Sequence, residues 1–160
     1  MITQKRLKEV LDYNHVTGTF YWISGNQGRV AGAVAGSRES GGYIQIGLDY
    51  KKYRAHRLVW LYIYGCFPNG GLDHINGICD DNRIENLREA TISQNAMNAK
   101  MRTKNKSGYK GVILVKGNYH AQIKVGERVI RSRFFRKAKD AHTEYARLSE
   151  KYFGEFANHG

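Results

Sequence analysis

Asp73-His74-Ile75-Asn76-Gly77, followed by Asn86-Leu87-Arg88 and then Asn95, decides how this chain is read. Leu72 to Ile75 predicts a short strand, because apolar and β-branched residues flank the acid and the histidine. Asn76-Gly77 is a tight-turn signal. Asp81-Asn82-Arg83 reads as loop. Residues 89–99 then predict a helix with Thr91 or Ser93 as its cap. An acid beside a histidine at the end of a strand, faced by a helix bearing asparagines, is a compact polar cluster rather than a core.

Working back toward the N-terminus, residues 56–64 (HRLVWLYIY) are too apolar for a surface segment and predict a buried helix, ended by Gly65 and Pro68-Asn69-Gly70-Gly71. Before it, residues 42–47 alternate as a strand, with residues 53–56 as a hairpin partner across Asp49-Tyr50-Lys51. Residues 25–42, rich in glycine and small residues, predict loop. Thr17 to Ile23 reads as a turn into a strand. Residues 4–12 place Leu7, Val10 and Leu11 on one helical face. Tyr21, Trp22, Tyr43 and Tyr53 read as packing residues, and residues 1–52 suggest no separate chemistry.

Working forward, residues 100–107 are polar and basic and read as linker. Residues 111–115, 119–125 and 129–135 predict three strands, with Gly117-Asn118 and Gly126-Glu127 as turns. Ala138, Ala141, Tyr145, Leu148 and Tyr152 recur at helical spacing and predict an amphipathic helix covering one face of that small sheet. Tyr119, Ala121, Ile123 and Val125 would face this helix, leaving His120, Gln122 and Lys124 outward. Arg131 and Arg133 share a face on the third strand.

The chain has 160 residues, enough for one ordinary domain or two small ones, and a formal charge of +12. Twelve Lys or Arg and a single acid, Glu127, fall within residues 99–137, whereas residues 1–98 carry eleven basic and nine acidic side chains. Charge concentrated in this way is a footprint for a polyanion. Cys66 and Cys79 form no paired metal-binding spacing and imply neither a zinc ribbon nor a disulfide framework. The longest apolar run, near Leu58 to Phe67, is too short to cross a bilayer, and no apolar signal segment precedes it. A cytoplasmic location is therefore expected.

Phosphodiester hydrolysis needs a nucleophile, neutralisation of developing negative charge and help for the departing oxygen. A divalent metal supplies the last two. Asp73 offers a hard anionic oxygen, which suits Mg²⁺ or Mn²⁺ better than zinc. Asn95 would complete the metal site from the helix. His74 can take a proton from water near neutral pH. Asn86 could hold the His74 tautomer or brace the loop. Side chains of neighbouring strand residues point to opposite faces, so Asp73 and His74 converge only if the strand end twists or the substrate lies across its edge.

Through H-R-L-V-W, G-x-x-P-x-G, D-H-I-N-G, D-N-R-x-x-N-L-R and Q-N-x-x-N, residues 53–98 resemble the HNH homing-type endonucleases of phages, which have a ββα-metal core. The resemblance implies Asp73 and Asn95 as metal ligands, His74 as general base and Asn86 as the supporting asparagine. It also implies products with 5′-phosphate and 3′-hydroxyl ends. Asn95 stands where many relatives carry histidine, so a loosely held hard metal is expected. Asn98, one turn later, is a secondary candidate. Arg57 is expected at a phosphate, while His56 is expected to brace its helix.

Residues 107–157 resemble the AP2/ERF DNA-binding fold through S-G-Y-K-G-V, Y-H-A-Q-I, F-R-K-A-K-D-A-H-T-E-Y-A and F-G-E-F-A-N. Plant members carry arginines where Ile113 and Val115 stand, so sequence preference does not carry over. A sheet face bearing Arg, Lys, Gln and His suits the major groove. The expected DNA contacts are Arg57, Lys100, Arg102, Lys104, Lys106, Lys110, His120, Gln122, Lys124, Arg131 and Arg133, the linker lysines at phosphates.

The expected architecture is α+β: a small β-rich section (1–52), a ββα-metal nuclease core (53–99), a basic linker (100–107) and a three-stranded antiparallel sheet packed on one helix (108–160). The expected function is metal-dependent cleavage of double-stranded DNA, nicking or cutting both strands, by a monomer or homodimer. Two rivals remain. One is a non-catalytic DNA-binding regulator built on the same scaffold. The other is a structure- or RNA-directed nuclease.

Overall fold

A computed structural model describes residues 1–25, 28–101 and 105–160. The chain forms two compact units, Met1–Glu89 and Ala90–Gly160. Residues 1–52 therefore share a unit with the first part of the 53–99 segment, and the helix bearing Asn95 belongs to the second.

The first unit opens with helix α1 (Gln4–Val10), capped by the Thr3 side chain, which accepts from the Arg6 amide. Strands β1 (Leu11–Asn14) and β2 (Thr19–Trp22) form an antiparallel hairpin. The expected loop over 25–42 holds more structure than its composition suggests. Val34 bridges back to Tyr21, and β3 (Ser37–Arg38) pairs with β4 (Ile44–Leu48). Such short backbone pairings leave little hydrophobic periodicity to read. β4 continues into β5 (Lys51–Arg54), with Leu48 opposite Lys51. The two turn residues, Asp49 and Tyr50, both take positive φ, as a tight hairpin turn demands. Helix α2 (Ala55–Tyr64) ends at Gly65 in the left-handed region. It buries Leu58, Val59 and Leu61 against Leu7, Leu11, Phe20, Ile46 and Leu48, in one apolar core running from Ile2 to Leu87. The four-residue β6 (Gly71–His74) is hydrogen-bonded to β7 (Leu87–Ala90), a strand not expected from the sequence.

The second unit begins with α3 (Ile92–Asn98). Thr91 and Gln94 close a reciprocal capping box, which starts the helix three residues later than expected. Strands β8 (Val112–Val115), β9 (Asn118–Val125) and β10 (Arg128–Arg131) form a three-stranded antiparallel sheet in the order β10-β9-β8. The third strand was expected to run to residue 135. It stops at Arg131, and only Phe135 returns, to bridge Tyr119. Helix α4 (Ala138–Phe153) packs on the sheet and buries Tyr145 and Leu148 against Ala121 and Ile123, the inward-facing alternation that the sequence predicts. Gly111 has φ +68°, and a Cβ there would stand 1.9 Å from the Tyr145 ring, so the ring occupies the space that any side chain at 111 would need.

Candidate active site

β6 delivers Asp73 and His74, both about 5% exposed, from adjacent positions of one short strand. Their side chains have different partners. The Arg88 guanidinium on β7 donates to Asp73 Oδ2 from Nε at 2.9 Å and approaches it with Nη2 at 2.9 Å. Both side chains of this ion pair are largely buried, so Arg88 fixes the carboxylate by charge-assisted hydrogen bonds in a weakly screened setting. The His74 Nε2 lies 3.1 Å from Asn82 Oδ1.

The His74 ring also borders an aromatic group. His56, from the first turn of α2, stands edge-on to it at 5.1 Å, and Tyr43 lies 5.9 Å away. Arg54 sits over the Tyr43 ring at 4.2 Å. Burial is the main force lowering the His74 pKa below its usual value. The hydrogen bond to Asn82 and the charges of Asp73, Asp81 and Asp80 oppose it. His56 is pushed down to about 3, chiefly by burial and then by His74, Arg54 and Arg57. Both imidazoles are therefore neutral at pH 7, the form in which a histidine can accept a proton.

Asn86 takes the bracing role. Its Oδ1 accepts the Asn76 backbone N–H at 3.1 Å, and its Nδ2 donates to the Asp81 carbonyl at 2.8 Å and to Asn76 Oδ1 at 3.1 Å. These bonds close the loop between β6 and β7 across ten residues. The side chain bonded to His74 is instead Asn82, from the loop segment 81–83. Asp80 and Asp81 are tied down by cations: Arg38 reaches Asp80 at 3.4 Å, and Arg83 reaches Asp81 at 2.8 Å. Arg83 holds the Asp81 carboxyl at about 2. Arg57 donates to the Gly70 carbonyl at 3.3 Å, which anchors the loop before β6.

Asp73 is the carboxylate on β6 that could hold a hard divalent cation. Asp73 supplies a carboxylate oriented by Arg88, as ligating carboxylates commonly are. No group of three His, Cys, Asp or Glu side chains suited to a metal occurs among the described residues, so a cation held by Asp73 would have to draw its other ligands from amide oxygens or water. Such a set suits Mg²⁺ or Mn²⁺. Asn95 is half-buried on α3, in the second unit. Asn98 is buried there, and the Asn158 amide donates to its carbonyl at 2.8 Å.

Among the expected DNA contacts of the second unit, Lys100, Lys106, Lys124, Arg131 and Arg133 are exposed. Gln122 is half-buried and accepts from Arg131 Nε at 2.9 Å. Two expectations need correction. His120 is only 6% exposed and stands edge-on to Phe134 at 5.2 Å, because Phe134 covers the face that strand alternation assigned to solvent. Lys110 is also buried. Its ammonium donates to the Met97 carbonyl at the end of α3 at 2.6 Å, and burial lowers its pKa to about 8. It satisfies a helix terminus rather than a phosphate. Arg102 and Lys104 lie outside the described residues.

Residues 53–97 match a family model described as HNH endonuclease. The match spans 45 of the 160 residues and includes Asp73, His74, Asn82, Asn86, Arg88 and Asn95. It supports an HNH nuclease domain over those residues. Comparison with curated proteins and with solved structures found no match. No helix among the described residues is long and apolar enough to cross a membrane.

Proposed function

We propose that this chain is a metal-dependent, homing-type DNA endonuclease that hydrolyses phosphodiester bonds in double-stranded DNA. The observation carrying this reading is the pair on β6. Asp73 and His74 are buried side by side, one oriented by Arg88 and the other bonded to Asn82, inside a segment that matches the HNH endonuclease model.

In this reading neutral His74 takes a proton from water, which attacks phosphorus in line with the departing 3′ oxygen. Asp73 and Asn95 are the proposed ligands for Mg²⁺ or Mn²⁺, with Asn95 assigned by the resemblance alone. When bound, the cation offsets the negative charge that builds on the phosphate oxygens and the leaving group. Arg88 keeps the Asp73 carboxylate in place, and Asn86 keeps the intervening loop closed. Lys124, Arg131 and Arg133 of an AP2-like second unit contact DNA and set its register. One His74 per chain makes a nick the elementary event, so cutting both strands requires a second copy or a second encounter.

The His74→Ala protein tests the assignment. It should bind DNA with affinity close to that of the wild type while losing metal-dependent cleavage by 10²-fold or more, in line with typical losses of general-base catalysis, about 10²–10⁴-fold. Loss of binding and cleavage together would show that His74 supports the fold rather than the chemistry.

A further inference from the structure

The β1–β2 section has no catalytic motif, yet its side chains grip the residue bonded to His74. Asn82 is 2% exposed. Its Nδ2 donates to the Asp80 carbonyl at 3.3 Å. A carbonyl oxygen only accepts, so the amide end facing Asp80 must be the nitrogen, and Oδ1 is turned to His74 Nε2, 3.1 Å away. An amide oxygen cannot donate either. The bond therefore requires a proton on Nε2, and in the neutral imidazole the basic lone pair then lies on Nδ1.

The Asn82 backbone is held as firmly as its side chain. The Tyr13 phenol on β1 donates to the Asn82 carbonyl at 3.0 Å and accepts the Ile84 N–H at 3.1 Å, which spans the loop from outside. Gly18, in the turn between β1 and β2, has φ +72°, and a Cβ there would stand 2.5 Å from the Arg83 nitrogen and 2.6 Å from the Asn82 carbonyl carbon. Only a residue without a side chain lets the turn lie flush against residues 82–83.

We propose that Asn82 is the positioning residue for His74, fixing the Nε2–H tautomer and the ring plane so that Nδ1 acts as the base, and that Tyr13 and Gly18 hold Asn82 in place. The catalytic part of this statement rests on the nuclease reading of His74. The tautomer does not.

Two measurements on the full chain test it. Long-range ¹H–¹⁵N correlation spectra, with His74 assigned by comparison with His74→Gln, should show the Nε2–H tautomer in the wild type and a mixture in Asn82→Leu. A wild-type Nδ1–H tautomer would overturn the proposal, whatever the protein does to DNA. The second measurement is the single-turnover rate on a plasmid containing the target, alongside DNA affinity and urea unfolding. Asn82→Leu should lose 10–100-fold in rate, the usual range for outer partners of a reactive centre, with DNA affinity within about twofold of the wild type. Asn82→Asp keeps an acceptor oxygen for Nε2 but sets its second oxygen against the Asp80 carbonyl, so it should recover part of that loss rather than all of it. Equal losses in both variants, tracking their losses of stability, would make Asn82 a structural residue and refute its positioning role. A wild type with the Nε2–H tautomer that never cuts target DNA would overturn the nuclease reading instead.

Discussion

Mild acid should destabilise the first unit through His56. His56 is buried on α2, its Nδ1 has no hydrogen-bond partner among the described residues, and its pKa is held at about 3. In the unfolded chain it returns to about 6.5. The unfolded state therefore binds the proton first. Stability is complete above about pH 6.5 and declines as pH falls toward 3. At pH 5 the unfolded histidine is nearly all charged while the folded one stays neutral, and the gap of about 1.5 pH units corresponds to about 2 kcal/mol. His74 is lowered in the same direction and adds to the loss. Asp81, held at about 2 by Arg83, gives up its contribution only below about pH 4, which is below the range between pH 7.5 and pH 5.0. Both tryptophans, Trp22 and Trp60, lie in the first unit, so their fluorescence reports its unfolding. Urea titrations at pH 7.5 and pH 5.0 should differ by at least about 2 kcal/mol in the wild type, and by about 2 kcal/mol less in His56→Phe, which keeps a ring between Tyr43 and His74. The same pH dependence in both proteins would refute the assignment of a buried, neutral His56.

Other outcomes follow from the second unit. Gly111→Ala should destabilise it by about 2–5 kcal/mol, combining the left-handed backbone with the clash against Tyr145. The near-ultraviolet tyrosine signal should melt earlier while the tryptophan transition of the first unit is retained. Replacing exposed Lys124 and Arg133 with alanine should weaken binding to all DNA sequences alike and reduce the salt slope by about two, as measured by titration at several ionic strengths. An unchanged slope would remove this sheet from the DNA-binding surface.

The sequence conveyed some of this architecture much better than other parts. Helices α2 and α4 are readable because their apolar faces are long and regular, and the β9 residues Ala121 and Ile123 alternate as a half-buried strand should. β7 is not readable: Leu87–Ala90 has four residues and exists because β6 lies beside it. His120 and Lys110 mislead for related reasons. Period-2 alternation says which way a side chain points but not whether Phe134 covers it, and the charge of a lysine does not reveal that a helix end lies within its reach. At the candidate site, the residue types at positions 73, 74 and 86 stand out by their spacing. Asn82 does not, because its role depends on Oδ1 meeting a histidine eight residues away across a folded loop. Arg88 is hidden likewise, inside an Asn-Leu-Arg triplet whose meaning comes from the strand it pairs with.

The central claim is that β6 carries a metal-dependent DNA-cleaving pair. It is tested most directly by incubating supercoiled plasmid containing the target with the full chain in Mg²⁺ or Mn²⁺, in EDTA, and with His74→Ala. The account predicts conversion to open circle with either metal, none in EDTA and none with the variant. Cleavage that persists in EDTA or in His74→Ala would contradict it, as would target plasmid that is bound and shifted on a gel but never cut.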